Sequence, residues 1–199
     1  MDKGVREPKQ QRSIEKKERI IRAAYELFSE NGYYSTVTSD IAKRAGVSTG
    51  IVYGYFSDKR DILFYVLKIH VRETAEPVMN YLSTVPSDVT LSQMLDKVIS
   101  LTETSHKNNP NLHNILHALA FTDSSINDQF LSLENHITLS ASKKLRELGF
   151  NTDRMEEKVH IAMNLIQSYA HESIYDKHDY IDYGAMRDTV LDLLVKLFG

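Results

Sequence analysis

Apolar side chains recur along most of this chain at intervals of three, four and seven residues, the spacing of one face of an α-helix. The first such stripe runs from Ile14 to Phe28, and Ser13 stands where a helix N-cap is expected. The stripe ends just before Gly32, which suits the left-handed conformation of a helix C-terminus. The pattern therefore predicts a helix that starts at Ser13 and stops at Gly32.

The same periodicity predicts helices over the rest of the chain. A short helix over 36–46 opens with Thr or Ser, and a long helix begins at Ser57 or Asp58. The long helix runs into the low 80s, and Pro77 is expected to kink or end it, while Thr152 is expected to cap a later helix. The other predicted helices span residues 90–107, 112–121, 124–148, 153–175 and 180–198. The loops are short, so we predict an all-α fold of about nine helices.

The segment Ile51–Phe56 is open to two interpretations. Its β-branched and aromatic residues, interrupted by Gly54, are typical of a strand. The neighbouring residues instead fit a helix-turn-helix, in which this segment would be the second helix. Ala42 is small where two helices cross, Gly46 permits a positive φ, and Ser48 can cap the next helix. We predict that this packing outweighs propensity, and that the free N–H groups of the first turn face outward, where they would attract phosphate.

Composition and charge narrow the function classes. Of 199 residues, 42% are hydrophobic and none is cysteine, which suits one or two packed domains and excludes disulfides and thiolate metal sites. No apolar run approaches the roughly 18 residues of a membrane span, and the N-terminus has no signal-peptide core. We expect a soluble, cytoplasmic protein that does not enter a membrane.

Charge is unevenly distributed along the chain. Residues 1–70 contain 13 Lys and Arg against 9 Asp and Glu, whereas the remainder contains 11 against 18. A basic N-terminal part suggests an end that faces a polyanion. Residues 1–12 lack apolar periodicity and are expected to form a flexible basic arm, whose Lys3, Arg6, Lys9 and Arg12 either contact phosphates or stay solvated.

The histidines do not form a convincing metal or catalytic site. His113 and His117 are one helical turn apart, but no carboxylate at metal-ligand spacing accompanies them. His171-Glu172 begins an HExxH pattern, yet Tyr175 occupies the place of the second histidine. We therefore predict no enzyme activity, no metal and no cofactor, while a small all-α enzyme using these histidines remains an alternative.

The stretch Ile20–Leu63, about a quarter of the chain, resembles the TetR family of bacterial transcriptional regulators. Three parts carry the resemblance: the helix end AAxELFxExGY, the turn I-A-x-x-A-G-V-S, and the junction Y-x-Y-F-x-x-K-x-x-x-L. The resemblance implies a three-helix helix-turn-helix DNA-binding head over 13–58 and a helical ligand-binding and dimerisation body over 59–199.

The resemblance also implies DNA contacts for seven residues: Thr38, Ser39, Thr49, Gly50, Tyr53, Tyr55 and Lys59. Thr38 would bond a phosphate, Ser39 would lie near the bases, and Lys59 would hold the DNA backbone. Thr49 and Gly50 would enter the major groove. Tyr53 and Tyr55 would reach phosphates or thymine methyls, although packing under the turn is an alternative for both. Gly54 departs from the family, which usually has a larger side chain there, so readout would depend more on backbone contacts and DNA shape.

The last two predicted helices point to a homodimer. In 159–170 eight of twelve residues are apolar or aromatic, and the final helix carries two apolar stripes. A helix apolar nearly all round must bury two faces. A two-fold four-helix interface would bury them, and so would a central position within a monomer.

Aromatic, Met and His side chains in the body suit an apolar ligand cavity, as the resemblance implies, or ordinary core packing. These candidates are Phe64, Met94, His117, Phe121, Met163 and Tyr169. Together the patterns predict a homodimeric repressor that binds palindromic double-stranded operator DNA and is released by a small, largely apolar effector. The same patterns are compatible with a DNA-binding protein that has no effector, and with a helical protein–protein module.

Overall fold

The computed structural model describes residues 11–86, 88–108, 110–150 and 152–199, and every regular element within these ranges is an α-helix. The prediction of an all-α fold is confirmed. The helices in the described ranges are α1 (Gln11–Asn31), α2 (Thr38–Ala45), α3 (Thr49–Tyr55), α4 (Lys59–Thr84), α5 (Leu91–Asn108), α6 (Pro110–Thr122), α7 (Ser124–Glu147), α8 (Met155–Ile174) and α9 (Tyr183–Phe198). None of them is both long and apolar enough to cross a lipid bilayer.

The chain divides into two compact units. The first takes in the described residues up to Val71 together with Asn111–Asn127. It therefore holds α1 to α3, the first half of α4, and α6. The second unit consists of Arg72–Pro110 and Asp128–Gly199, with the second half of α4, α5, most of α7, α8 and α9. The assignment of DNA-binding and effector-binding roles to particular segments remains a prediction.

The core of the first unit is built from the apolar stripes recognised in the sequence. The side chains that are almost completely buried there include Ile20, Phe28, Ile41, Val52, Phe56, Ile62 and Leu67. Left-handed glycines end the first two helices, with φ of 81° at Gly32 and 67° at Gly46. These positive φ angles are easily adopted by glycine, which explains why the chain turns sharply at these points.

The second unit is held together by α5, α8 and α9, which pack against one another in pairs. Their shared core includes Met94, Ile99, Ile166, Tyr169 and Leu194. A polar cluster joins the same three helices. Arg187 of α9 donates to Asp96 of α5 at 2.6 Å, and the Tyr169 hydroxyl of α8 donates to Glu103 of α5 at 3.0 Å. Burial, followed by this bond to Glu103, raises the pKa of Tyr169 to about 12.

The predicted N-cap at Ser13 was wrong, and α2 begins two residues later than the predicted range 36–46. Ser13 lies inside α1, which already starts at Gln11, and its hydroxyl is hydrogen-bonded to Tyr55 instead of capping the helix. Thr36 does not open α2 either. Its buried hydroxyl donates to the carbonyl oxygens of Leu27 and Gly32, and Val37 is the N-cap residue. In both cases a tertiary bond takes the hydroxyl that the local pattern assigned to capping.

Boundaries further along the chain also differ in places. Asp58 caps α4 as predicted, since its carboxylate accepts from the Asp61 N–H at 2.7 Å, but α4 continues past Pro77 to Thr84. Thr152 does not cap α8, because its hydroxyl is hydrogen-bonded to the Lys158 ammonium and the helix begins three residues later. The last helix begins at Tyr183 rather than at residue 180.

Candidate DNA interface

The turn between α2 and α3 has the geometry that a helix-turn-helix requires. Gly46 closes α2 with its N–H directed at the carbonyl oxygens of Ala42 and Lys43, and Val47 N–H donates to Ala42 at 3.0 Å. The chain re-enters a helix at Thr49, after Ser48 in the N-cap position. The helical interpretation of the segment 51–56 is confirmed up to Tyr55, and the strand suggested by propensity does not form.

The α3 helix offers an open surface at its start. Ser48 makes no side-chain capping bond to the first N–H groups of the helix. Val52 faces the core, whereas Gly50, Tyr53 and Gly54 are exposed, with 55% of the Tyr53 side chain accessible. A β-carbon added at Gly50 or Gly54 would meet no heavy atom within 4 Å. This combination of free N–H groups and open surface allows close approach of a polyanion.

Tyr55, at the other end of α3, contacts α1. Its hydroxyl lies 2.8 Å from the Ser13 hydroxyl, and its ring is half-buried. Packing of Tyr55 within the fold therefore has a specific partner. The bond fixes the last turn of α3 against the first turn of α1.

The start of α2 carries two of the residues that the sequence assigned to DNA contact. Thr38 is the first residue of α2 and is half-buried, and Ser39 is exposed next to it. Arg44, near the end of α2, forms ion pairs with Glu26 at 3.2 Å and Glu30 at 2.8 Å on α1. The bond from Arg44 lowers the pKa of the Glu30 carboxyl. These pairs hold α2 on α1.

Lys59 occupies a more internal place than the sequence suggested. Its ammonium donates to the carbonyl oxygens of Tyr33 at 2.6 Å and Thr36 at 2.8 Å. It also lies 4.2 Å from the centroid of the Tyr33 ring. Partial burial lowers the pKa of Lys59. The residue thus joins the first turn of α4 to the connection between α1 and α2.

Two exposed residues near this surface were not predicted from the sequence. Tyr34 and Val37 both lie exposed in the connection that leads into α2. The ring of Tyr34 packs edge-on against Tyr33, with 5.4 Å between the centroids. The signal available in the sequence was the Tyr33-Tyr34 pair directly after the helix-ending Gly32.

Arg60 ties α4 to the junction between α6 and α7 in the same unit. Its guanidinium donates to Asp123 at 2.5 Å, and the Asp123 carboxylate also accepts the N–H groups of Ser125 and Ile126 at the start of α7. The bond from Arg60 is the main reason that the pKa of Asp123 falls to about 2.

The six residues proposed for the effector cavity are divided between the two units. In the first unit Phe64 is half-buried, His117 is exposed with its ring 4.4 Å from that of His113, and Phe121 is 92% exposed. In the second unit Met94 and Tyr169 are buried and Met163 is half-buried. Their common role remains a prediction. Across the described part of the chain, no group of three or more His, Asp or Glu is arranged to hold a metal ion.

Comparison with known proteins identifies the N-terminal segment. Residues 20–66 match the family model described as bacterial regulatory proteins, tetR family. The chain is 55% identical over 62 residues to the HTH-type transcriptional regulator HbdR of an Aromatoleum species, covering 31% of this chain and 27% of that protein. It is 30% identical over 113 residues to the regulator AcrR of Shigella flexneri, covering 56% and 53%. The matched part thus spans between about a quarter and about half of these relatives.

Solved structures extend the likeness to the whole fold. A putative TetR-family transcriptional regulator from Mesorhizobium loti superposes with a TM-score of 0.78, covering 96% of this chain and 100% of that one at 18% identity. The fatty acid degradation regulator FadR from Bacillus halodurans gives a TM-score of 0.60 with 97% of each chain covered at 20% identity. At these identities the likeness concerns the fold alone.

Proposed function

We propose that this chain, whose residues 20–66 match the TetR family of bacterial regulatory proteins, is a ligand-responsive repressor that binds operator DNA as a homodimer. The observation that carries the proposal is α3, a short helix that follows a glycine turn and exposes Gly50, Tyr53 and Gly54. This helix enters the major groove with its first turn leading. Thr49, Ser39 and the free N–H groups at the helix start contact bases and phosphates.

The homodimer forms through α8 and α9. Their inner faces pack against each other and against α5, but Ile161 on α8 and Leu193 on α9 stay 54% and 51% exposed. A second copy covers these apolar side chains in a two-fold four-helix interface. The two recognition helices then read half-sites about 34–36 Å apart, or a multiple of that distance.

The effector is small and largely apolar, and its binding favours a conformation that does not fit the operator. The apolar interior of the second unit, with Met94 and Ile99 among its residues, suits such a molecule. Helix α4 is continuous from Lys59 to Thr84 and belongs to both units, so it connects the effector to the DNA-binding helices. Release requires that the effector bind the second conformation more tightly, by about 3–5 kcal/mol.

Selection from a randomised duplex library tests the DNA-binding part. We expect enrichment of an inverted repeat, with half-sites one helical turn or a multiple apart. Gly50→Glu places a negative charge at an exposed position where an added β-carbon meets no heavy atom within 4 Å, so the fold is kept while phosphate is repelled and affinity falls by about a hundredfold. Asn135→Glu, at an exposed position of α7, adds the same charge and serves as the control. Failure to enrich an inverted repeat would contradict the proposal.

The effector part is tested separately with the selected operator. A panel of apolar small molecules, including medium-chain fatty acids and aromatic acids, is titrated into the protein–DNA complex while fluorescence anisotropy is followed. We expect at least one member to lower operator affinity at constant protein concentration. If no molecule of a broad panel weakens the complex, a DNA-binding protein without an effector becomes the better description.

A further inference from the structure

The recognition helix carries no charged side chain. Its sequence, Thr49–Tyr55, reads TGIVYGY. Affinity for duplex DNA nevertheless comes largely from Lys and Arg side chains that neutralise phosphates and release counterions. If the proposed function is correct, the cations that hold the DNA backbone must therefore lie on neighbouring elements of the first unit.

Several cations of that unit are already bonded within the protein: Lys17, Arg44, Lys59 and Arg60. Lys17 donates to the Tyr65 hydroxyl at 2.8 Å and lies 4.2 Å from the centroid of its ring. The two arginines form ion pairs with carboxylates, and Lys59 donates to backbone carbonyl oxygens. These four side chains therefore have fewer N–H groups left for a phosphate.

Three other cations form a stripe on α1, which we call the α1 basic stripe: Arg12, Lys16 and Arg19. Their spacing of four and three residues places them on one helix face. All three are exposed, and no carboxylate among the described residues pairs with them. Glu15, a near neighbour in sequence, instead accepts a hydrogen bond from Gln11 at 3.3 Å.

Two contacts place the α1 basic stripe beside α3. Arg19 Nη1 lies 3.9 Å from the position that a β-carbon would take on Gly46, in the turn before α3. At the other end of α3, Tyr55 is bonded to Ser13 at 2.8 Å. The seven residues from Ser13 to Arg19 span about 9 Å along α1, and α3 is about 10 Å long, so the stripe accompanies the recognition helix over most of its length.

We propose that the α1 basic stripe is a phosphate-binding rim of the DNA interface, which contacts the backbone of the operator next to the groove that α3 enters. The proposal rests on the proposed function, since it assumes that α3 reads DNA. It assigns the positioning of the recognition helix on the duplex to α1, and it explains how a helix without charge can be held in a polyanionic groove.

The test neutralises the stripe and measures the salt dependence of binding. The variant Arg12→Gln, Lys16→Gln, Arg19→Gln is compared with wild type on a fluorescein-labelled 40-base-pair duplex of mixed sequence, from 50 to 300 mM KCl. Each lost phosphate contact lowers the slope of log affinity against log salt by about 0.9, so we expect a loss of about 2.7 per bound protomer. The control, Lys97→Gln, Lys107→Gln, Lys143→Gln, removes the same charge from exposed positions of the second unit.

A double variant protects the test against loss of folding. Arg19 lies near Gly46 in the turn before α3, whereas Arg12 and Lys16 are exposed in the first two turns of α1. Arg12→Gln, Lys16→Gln should therefore fold and lose about 1.8 of the slope per protomer. An unchanged slope in folded stripe variants, or an equal loss in the control, overturns the proposal while the proposed function stands. A wild-type protein without salt-dependent binding to the duplex overturns both.

Discussion

The Lys59 ammonium donates a hydrogen bond to the carbonyl oxygen of Tyr33 at 2.6 Å, across 26 residues of sequence. The ammonium also donates to the carbonyl oxygen of Thr36 and lies over the ring of Tyr33. An ammonium has three N–H donors, and two are used here, so one is left for a phosphate. The DNA contact proposed for Lys59 is therefore compatible with its structural role in the first unit.

Replacing Lys59 should separate these two roles. Lys59→Met removes the charge-assisted bonds to Tyr33 and Thr36, and we expect the free energy of unfolding to fall by about 1–3 kcal/mol. Salt-dependent DNA binding should lose about one unit of slope per protomer. Urea unfolding and anisotropy titrations measure the two effects. Lys68→Met, an exposed lysine on the same helix, should change neither; a loss of stability with an intact slope would restrict Lys59 to the structural role.

The N-cap of α2 is a position where stability can be gained. Val37 has extended backbone angles there and no side-chain capping bond. Val37→Ser supplies a hydroxyl for a free N–H of the first turn, and we expect the free energy of unfolding to rise by about 1 kcal/mol. Val37→Ala, which cannot cap, should give no such gain. Chemical denaturation of the two variants measures the difference, and equal stabilities would mean that the hydroxyl finds no N–H to bond.

Two hydroxyls on α7 are buried without a hydrogen-bond partner, those of Thr138 and Ser142. Thr138→Val removes an unsatisfied polar group while keeping the shape, so we expect stability to rise by about 1 kcal/mol. Thr102→Val is the matched control, because the buried Thr102 hydroxyl donates to the Val98 carbonyl oxygen at 3.0 Å. It should lose about 1 kcal/mol. In thermal unfolding we expect the melting temperature to rise for Thr138→Val and to fall for Thr102→Val. A fall for both variants would show that the Thr138 hydroxyl is hydrogen-bonded in solution.

Asp123 should make the protein sensitive to acid. The bond from Arg60 holds the pKa of Asp123 near 2, below its ordinary value of 3.8. A carboxyl with a lowered folded-state pKa stabilises the fold above about pH 4, and this contribution is lost as the pH falls toward 2. Asp123→Asn keeps an oxygen that can cap α7 but cannot ionise, so its melting temperature should fall less than that of wild type between pH 5 and pH 2. Asp128→Asn, at an exposed position of α7, should follow wild type.

The proposed dimer depends on the outer faces of α8 and α9. Leu193→Glu places a charge on the 51% exposed face of α9, and we expect it to shift the protein from dimer to monomer in sedimentation velocity, because a charge cannot be buried in an apolar interface without cost. Leu131→Glu, at a 49% exposed position of α7, should leave the dimer intact. Dissociation by both variants, or by neither, would argue against an interface made by α8 and α9.

The sequence predicted the helices and the turn because these depend on local patterns. The stripe that ends in Phe28 and the left-handed Gly46 require only residues close in the chain. Predicting the helix at Val52 required more than a local pattern, because the strand propensity of that segment had to be weighed against the packing of three helices. That interpretation succeeded because the apolar residues that pack there are spaced for a helix-turn-helix.

What the sequence could not provide were the bonds between distant residues. Ser13 and Thr36 were suited to capping by their position, but each found a partner on another element, 42 residues away in the case of Ser13. The bond from Lys59 to Tyr33 likewise joins residues that are far apart in the sequence. When a polar side chain has several possible hydrogen-bond partners, the tertiary structure decides which partner it takes. This is why the DNA contacts of individual residues remain predictions.

The empty space around Gly50 and Gly54 has a consequence for the evolution of this protein. Both lie within α3, and a β-carbon added at either would meet no heavy atom within 4 Å. Most replacements at these two positions would even strengthen the helix, since glycine is the weakest helix former apart from proline. If α3 reads DNA as proposed, single mutations at these two positions can change the preferred binding sequence without repacking the scaffold, and a duplicated copy could acquire new target genes in few steps.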